Sequence, residues 1–111
     1  MTTYNPDNWV VLKIKSGKFD KGIYKLLAGW SGGYLDGDAW RMNSGIEQIQ
    51  EDGDYLLVYG YSGSVYRCYK EAYGLRMSNS GVYNSLIEQQ TFEGQITMLP
   101  ADTDWLKVDY I

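Results

Sequence analysis

Glycine-containing turns break this chain at short intervals, and the segments between them are too brief for long helices. Ser31-Gly-Gly33, Asp36-Gly-Asp38, Asn43-Ser-Gly45, Glu51-Asp-Gly-Asp54, Ser62-Gly63 and Asn79-Ser-Gly81 all read as turns. Gly, Asn, Asp and Ser favour such positions because they tolerate positive φ or bond to their own backbone. The runs between them are rich in Tyr, Val, Leu, Ile and Trp, which suit a pleated surface. At 111 residues the chain has room for one core and one domain. The expected class is therefore all-β and mainly antiparallel, over residues 1–111.

Individual segments support this class. In Trp9-Val-Val-Leu-Lys-Ile-Lys15, residues Val10, Leu12 and Ile14 share one face of a strand, with Lys13 and Lys15 on the other. Ile23 to Trp30 forms the returning strand, with Tyr24, Leu26, Ala28 and Trp30 on one face. Ala39–Met42 is expected as a short strand, and Ile46–Gln50 as a further strand or a short helical piece. Tyr55–Tyr61 is apolar or aromatic almost throughout and predicts a strand covered on both sides. A tight turn at Ser62-Gly63 leads into Val65–Tyr69. Tyr73–Met77 is extended. Val82, Leu86 and Ile87 have helical spacing and predict one short helix near 82–90. Ile96–Leu99 and Trp105–Ile111 are expected to close the chain as strands, with Leu106, Val108 and Tyr110 on one face.

The chain also repeats itself. Tyr24-Lys-Leu-Leu-Ala-Gly-Trp-Ser-Gly-Gly33 aligns with Tyr55-Leu-Leu-Val-Tyr-Gly-Tyr-Ser-Gly-Ser64, with Tyr, Leu, Gly, Ser and Gly identical. Arg41-Met-Asn-Ser-Gly-Ile46 then aligns with Arg76-Met-Ser-Asn-Ser-Gly-Val82, one Ser longer. Two copies, over 24–46 and 55–82, predict a hairpin unit used twice in a small pseudo-symmetric barrel or sandwich; a solenoid would need more copies. Gly29 and Gly60, inside strands, mark a bend, a bulge or a close approach of another group.

Composition removes whole classes of chemistry. There is no histidine, so Ser-His-Asp and Cys-His nucleophiles and His-ligated zinc are excluded. The turn acids lack the spacing of a calcium loop, and the Ser-Gly turns lack the lysine and following helix of a phosphate loop. No metal and no cofactor is expected. Cys68 is alone, so no intramolecular disulfide forms, which favours a reducing cytoplasm. The opening Met1-Thr-Thr-Tyr-Asn-Pro-Asp7 lacks both the basic and the apolar parts of a signal peptide, and no run is long enough to span a membrane. The net charge of −4 argues against nucleic acid and anionic membranes as partners. It is unevenly spread: residues 51–111 hold nine acids against four bases, whereas five lysines gather between Lys13 and Lys25.

What remains is aromatic. There are 11 Tyr and 4 Trp, and seven of the tyrosines fall between Tyr55 and Tyr83. A core of this size does not accommodate all of these rings beside its Leu, Ile and Val. Tyr and Trp contribute large contact areas at low entropic cost, so a partly exposed aromatic surface is expected. The candidate binding residues are Trp30, Trp40, Arg41, Tyr61, Tyr66, Tyr69 and Arg76; none is a catalytic candidate. The leading expectation is a non-enzymatic interaction protein whose partner is another protein or a second copy of itself. The alternative is a small-ligand module for a carbohydrate or nucleotide. A small hydrolase built on a carboxylate pair stands third.

At Ala28-Gly-Trp-Ser-Gly-Gly-Tyr-Leu-Asp-Gly-Asp-Ala-Trp-Arg-Met-Asn-Ser-Gly45, and again at Gly60-Tyr-Ser-Gly-Ser-Val-Tyr-Arg-Cys68, the chain resembles small uncharacterised proteins of T4-like tailed bacteriophages and cyanophages. The resemblance covers about the middle two-thirds of the chain. It brings no activity and no site residue. It implies expression in the cytoplasm of an infected bacterium and an accessory or host-directed role.

Overall fold

A computed structural model describes residues 2–16, 19–33, 37–75, 80–89 and 94–110. The strands run in chain order as β1 (Thr3–Tyr4), β2 (Asn8–Ser16), β3 (Phe19–Gly33), β4 (Gly37–Met42), β5 (Ile46–Asp52), β6 (Tyr55–Gly60), β7 (Val65–Tyr69) and β8 (Gly94–Met98). Among the described residues a 3-10 turn (Lys70–Ala72) and one α-helix, α1 (Ser80–Gln89), lie between β7 and β8. The predicted helix begins two residues earlier than expected. Residue 90 lies outside the described residues.

The strands form two four-stranded sheets, ordered β1-β7-β6-β5 and β4-β3-β2-β8. All neighbours are antiparallel except β1 and β7. The all-β class holds, in its sandwich form. The core lies between the sheets, where Trp9, Val11, Leu26 and Ala28 of the second sheet meet Ile46, Ile49, Leu56, Val58, Tyr66 and Cys68 of the first. At ~25 cal/mol per Å² of apolar surface removed from water, this layer supplies the main driving force for folding.

The second sheet is covered on its other side too. Val10, Leu12 and Leu27 pack there against Val82, Tyr83 and Leu86 of α1 and against Met42, Ile96 and Met98. Val10, Leu12, Tyr24, Leu26, Ala28 and Trp30 thus fall on the expected faces. The lysine face of β2 differs from expectation. Trp9 and Val11 are wholly buried in the core, and the alternation reaches water only at Lys13 and Lys15. The Lys13 ammonium lies 5.5 Å from the centre of the Tyr24 ring.

The first sheet behaves in the opposite way. Burial along β6 alternates strictly: Leu56, Val58 and Gly60 are buried, while Tyr55, Leu57 and Tyr59 are half-exposed. The expectation that Tyr55–Tyr61 is covered on both sides is therefore corrected. Apolar or aromatic side chains on both faces gave a continuous hydrophobic run, but among the described residues only one face has a layer packed on it.

The last segment is also corrected. Residues 100–110 form successive turns, not a strand. The Leu106 amide donates to Asp104 Oδ1 at 3.3 Å, the Lys107 amide to Asp104 O at 3.1 Å, and the Thr103 hydroxyl to Pro100 O at 2.6 Å. These local bonds compete with ladder formation and win. Trp105 and Tyr110 are buried, whereas Leu106 is about half exposed at 51%. Trp105 packs on Trp9 at 5.3 Å between ring centres, and Tyr110 on Tyr24 at 5.3 Å.

Of the two strand glycines, Gly60 lies at an irregularity and Gly29 within a regular part of its ladders. Gly60 lies opposite Ile46, beside a register shift between Ile46 and Gln48. Gly29 is paired on both sides, with Asn8 and with Trp40. The aligned copies of the repeat occupy different settings. Tyr24 and Leu26 face the core, while their counterparts Tyr55 and Leu57 face outward. Trp30 pairs with Ala39 just before a register shift in the β3–β4 ladder, and its counterpart Tyr61 sits in a turn.

Candidate functional site

The seven residues singled out from the sequence separate into four places, with one outside the described residues. Trp30, Arg41 and Tyr66 come together. The Arg41 guanidinium lies 4.7 Å from the centre of the Tyr4 ring, and Tyr4 stacks on Tyr66 at 4.9 Å with an angle of 23°. Trp30 meets Tyr4 edge-on at 6.2 Å and donates its indole N–H to Asn5 O at 3.0 Å. Arg41 bonds the Tyr66 hydroxyl. Burial raises the Tyr66 phenol above its ordinary value, and the nearby Arg41 charge opposes that rise. Tyr66 is only 1% exposed, so it belongs to the core and not to a surface. Its place on β7 beside Tyr4 of β1 explains this, because paired residues share a face. This cluster fastens β1 to the first sheet and β4 to both.

Trp40, the residue before Arg41 on β4, points to the other side of its sheet and is half exposed. Tyr61 is 53% exposed in the β6–β7 turn, with its ring against Gly45 and its hydroxyl donating to Tyr110 O at 3.4 Å. Arg76 lies outside the described residues.

Tyr69 belongs to the fourth place, the outer face of the first sheet. Register places Asp52, Tyr55 and Tyr69 in one row, Gln50, Leu57 and Arg67 in the next, and Gln48, Tyr59 and Val65 in a third. Tyr55 and Tyr69 have ring centres 5.4 Å apart. The Tyr59 hydroxyl donates to Gln50 Oε1 at 3.3 Å. Neither hydrophobic cluster includes Tyr55, Leu57, Tyr59 or Tyr69. The sequence reading named only Tyr69 from this face. The signal for the rest was present in β6, whose period-two pattern is masked because both of its faces are apolar.

Two open clefts flank the C-terminal turns. One, of about 320 Å³, is lined by Glu47, Gln48, Ile49, Val108 and Tyr110 among others. The other, of about 280 Å³, holds Glu51, Asp102 and Asp104 beside Trp105. None of the six described candidates lines either cleft. All three acids of the second cleft are exposed; Lys70 pairs with Glu51 at 2.7 Å and Lys107 with Asp104 at 3.7 Å. Solvated, ion-paired carboxylates of this kind are ordinary surface corners. Among the described residues no group of three or more Cys, Asp or Glu is gathered for a metal. Cys68 is buried and desolvation pushes its thiol far up, so it is not primed as a nucleophile.

No helix among the described residues is long and apolar enough to cross a membrane. Comparison with protein-family models, with curated proteins and with solved structures finds no match for this chain.

Proposed function

We propose that this chain is a small, non-enzymatic interaction protein that binds a protein partner through the outer face of its first sheet. One observation carries the reading. The second sheet is packed on both sides, by the first sheet and by α1, whereas among the described residues the first sheet is packed on one side only. Its other side presents Tyr55, Leu57, Tyr59 and Tyr69. Tyrosine is enriched at interfaces because one rigid side chain offers both an apolar ring and a hydroxyl. The buried, unbridged Cys68 supports placing this activity in a reducing cytoplasm, and the phage accessory role belongs to the same proposal.

The size of the face bears on the partner. Three strands at ~4.8 Å spacing and ~17 Å length present at most ~300 Å². A stable globular interface uses ~800 Å² per side, so this face alone suits a short segment better than a second copy of the chain.

The test is a tagged pull-down from host lysate with wild-type bait, a Tyr59→Ser/Tyr69→Ser bait and a Trp40→Ser bait. The expected result is a protein retained by wild type and Trp40→Ser and lost by the double variant. Equal recovery by all three baits would overturn the reading, as would a concentration-independent dimer that buries the face.

A further inference from the structure

The outer face of the first sheet already holds one guanidinium. Arg67 Cζ lies 3.5 Å from the centre of the Tyr55 ring, and Arg67 Nε lies 3.9 Å from the Asp52 carboxylate. A planar cation is thus laid on an aromatic ring with an acid at its edge. Next to it, the Tyr69 ring is 40% exposed, and no cation lies over it among the described residues. The β5–β6 turn at this end of the face exposes Glu51, Asp52 and Asp54. Glu51 and Asp52 have ion-pair partners; Asp54 has none among the described residues. Over residues 46–71 the acids Glu47, Glu51, Asp52, Asp54 and Glu71 outnumber the bases Arg67 and Lys70.

From this geometry we infer that the partner segment is an arginine-bearing polypeptide. Its guanidinium stacks on Tyr69 beside the acidic turn, as Arg67 stacks on Tyr55, and an apolar side chain of the same segment lies on Leu57 and Tyr59. Arginine fits where lysine does not, because a guanidinium covers a ring with its face while its edge donates to a carboxylate. A nucleic acid is disfavoured by the local negative charge. The inference rests on the reading that this face binds a partner.

The experiment is calorimetric titration of the full chain at near-physiological salt with two peptides of alternating sequence, one Arg-Leu and one Lys-Leu. The Arg peptide should bind about two- to fivefold tighter, the scale of one exposed cation–π contact. Tyr69→Ser should remove most of that preference, with an unchanged thermal unfolding profile. Arg67→Gln frees the Tyr55–Asp52 place and should tighten the Arg peptide more than Lys15→Gln, which makes the same change in net charge away from the face. Equal binding of both peptides, equal effects of Arg67→Gln and Lys15→Gln, or no saturable binding overturns the inference. If the peptides fail while the Tyr59→Ser/Tyr69→Ser bait still loses its protein, the interaction reading stands and the arginine assignment falls. If that bait loses nothing, both fall.

Discussion

Arg41 of the second sheet bonds the hydroxyl of Tyr66 in the first, and so joins the two layers at their β1 end. The same guanidinium covers Tyr4, which itself stacks on Tyr66. One cation therefore holds three elements: β4, β7 and the two-residue β1. Replacing Arg41 by Ala should cost about 1–2 kcal/mol, from one cation–π contact and one charge-assisted hydrogen bond. Urea unfolding measures this. In a Tyr66→Phe background the cost of Arg41→Ala should fall, because part of its partner is already gone. Equal costs in the two backgrounds would show that the bond contributes nothing.

Asn43 extends the β3–β4 ladder with its side chain. Its backbone N–H donates to Leu26 O at 3.0 Å, and its Oδ1 accepts from the Leu26 N–H at 2.8 Å. The residue is 5% exposed, and its Nδ2 has no partner among the described residues. Asn43→Ala leaves the buried Leu26 N–H unmatched and should destabilise by about 1–3 kcal/mol. Asn43→Asp keeps the acceptor but buries a charge, so it should be worse at neutral pH and recover part of the loss in mild acid. A neutral outcome for Asn43→Ala in thermal unfolding would remove this bond from the account.

These two residues also mark what the sequence could show. Asn43 was legible as a turn residue and Arg41 as a notable one, because their types and spacing repeat. Their partners were not, since Tyr66 and Leu26 lie far away in sequence and meet them only through sheet register. The class of fold was legible because turn chemistry is local: Ser62-Gly63 and Glu51-Asp-Gly-Asp54 turn where expected. The C-terminal segment misled because Leu106, Val108 and Tyr110 alternate as a strand does, while Thr103 and Asp104 satisfy the backbone locally. Tyr66 and Tyr69 show the limit most clearly. Three residues apart on β7, they point to opposite faces, one into the core and one into water, and composition alone treats them alike.

Gly45 is constrained by an aromatic neighbour. Its φ is +145°, and a Cβ built on it would lie 2.7 Å from Tyr61 Cδ2 and Cε2. Gly45→Ala should therefore cost about 2–4 kcal/mol, combining backbone strain with displacement of the ring. In a Tyr61→Ala background the steric part vanishes and only the strain, about 1–2 kcal/mol, remains. Identical costs in the two backgrounds would show that the ring moves aside freely.

Adjacent leucines on β6 report which face is covered. Leu56 is 3% exposed and packs in the core, whereas Leu57 is half-buried on the outer face. Leu56→Ala should cost about 2–4 kcal/mol, and Leu57→Ala less than about 1.5 kcal/mol in the free protein. Once a partner is bound, Leu57→Ala should show its effect on affinity instead. A comparable loss of stability at both positions would mean that the outer face is covered.

Alkaline pH should destabilise the fold before any neutral-range change does. With no histidine, no side chain has its ordinary titration between pH 6 and 8. Burial raises the phenols of Tyr66, Tyr73 and Tyr110 and the Cys68 thiol, and the Tyr73 value is pushed up to about 12. Tyr73 is held in place by its hydroxyl, which donates to Leu99 O and accepts from the Val11 amide. Each of these groups holds its proton more firmly in the fold than in the unfolded chain. As pH rises the unfolded chain loses protons first, so stability falls with pH. The loss should begin near the ordinary thiol value of 9.0 and continue to about pH 12, where Tyr73 ionises in the native state. Thermal unfolding between pH 7 and 11 checks this, with absorbance near 295 nm (a phenolate band) reporting ionisation. Tyr73→Phe should flatten the decline above about pH 10, the ordinary tyrosine value. An unfolding temperature that is constant to pH 11, or a decline unchanged by Tyr73→Phe, would refute the assignment.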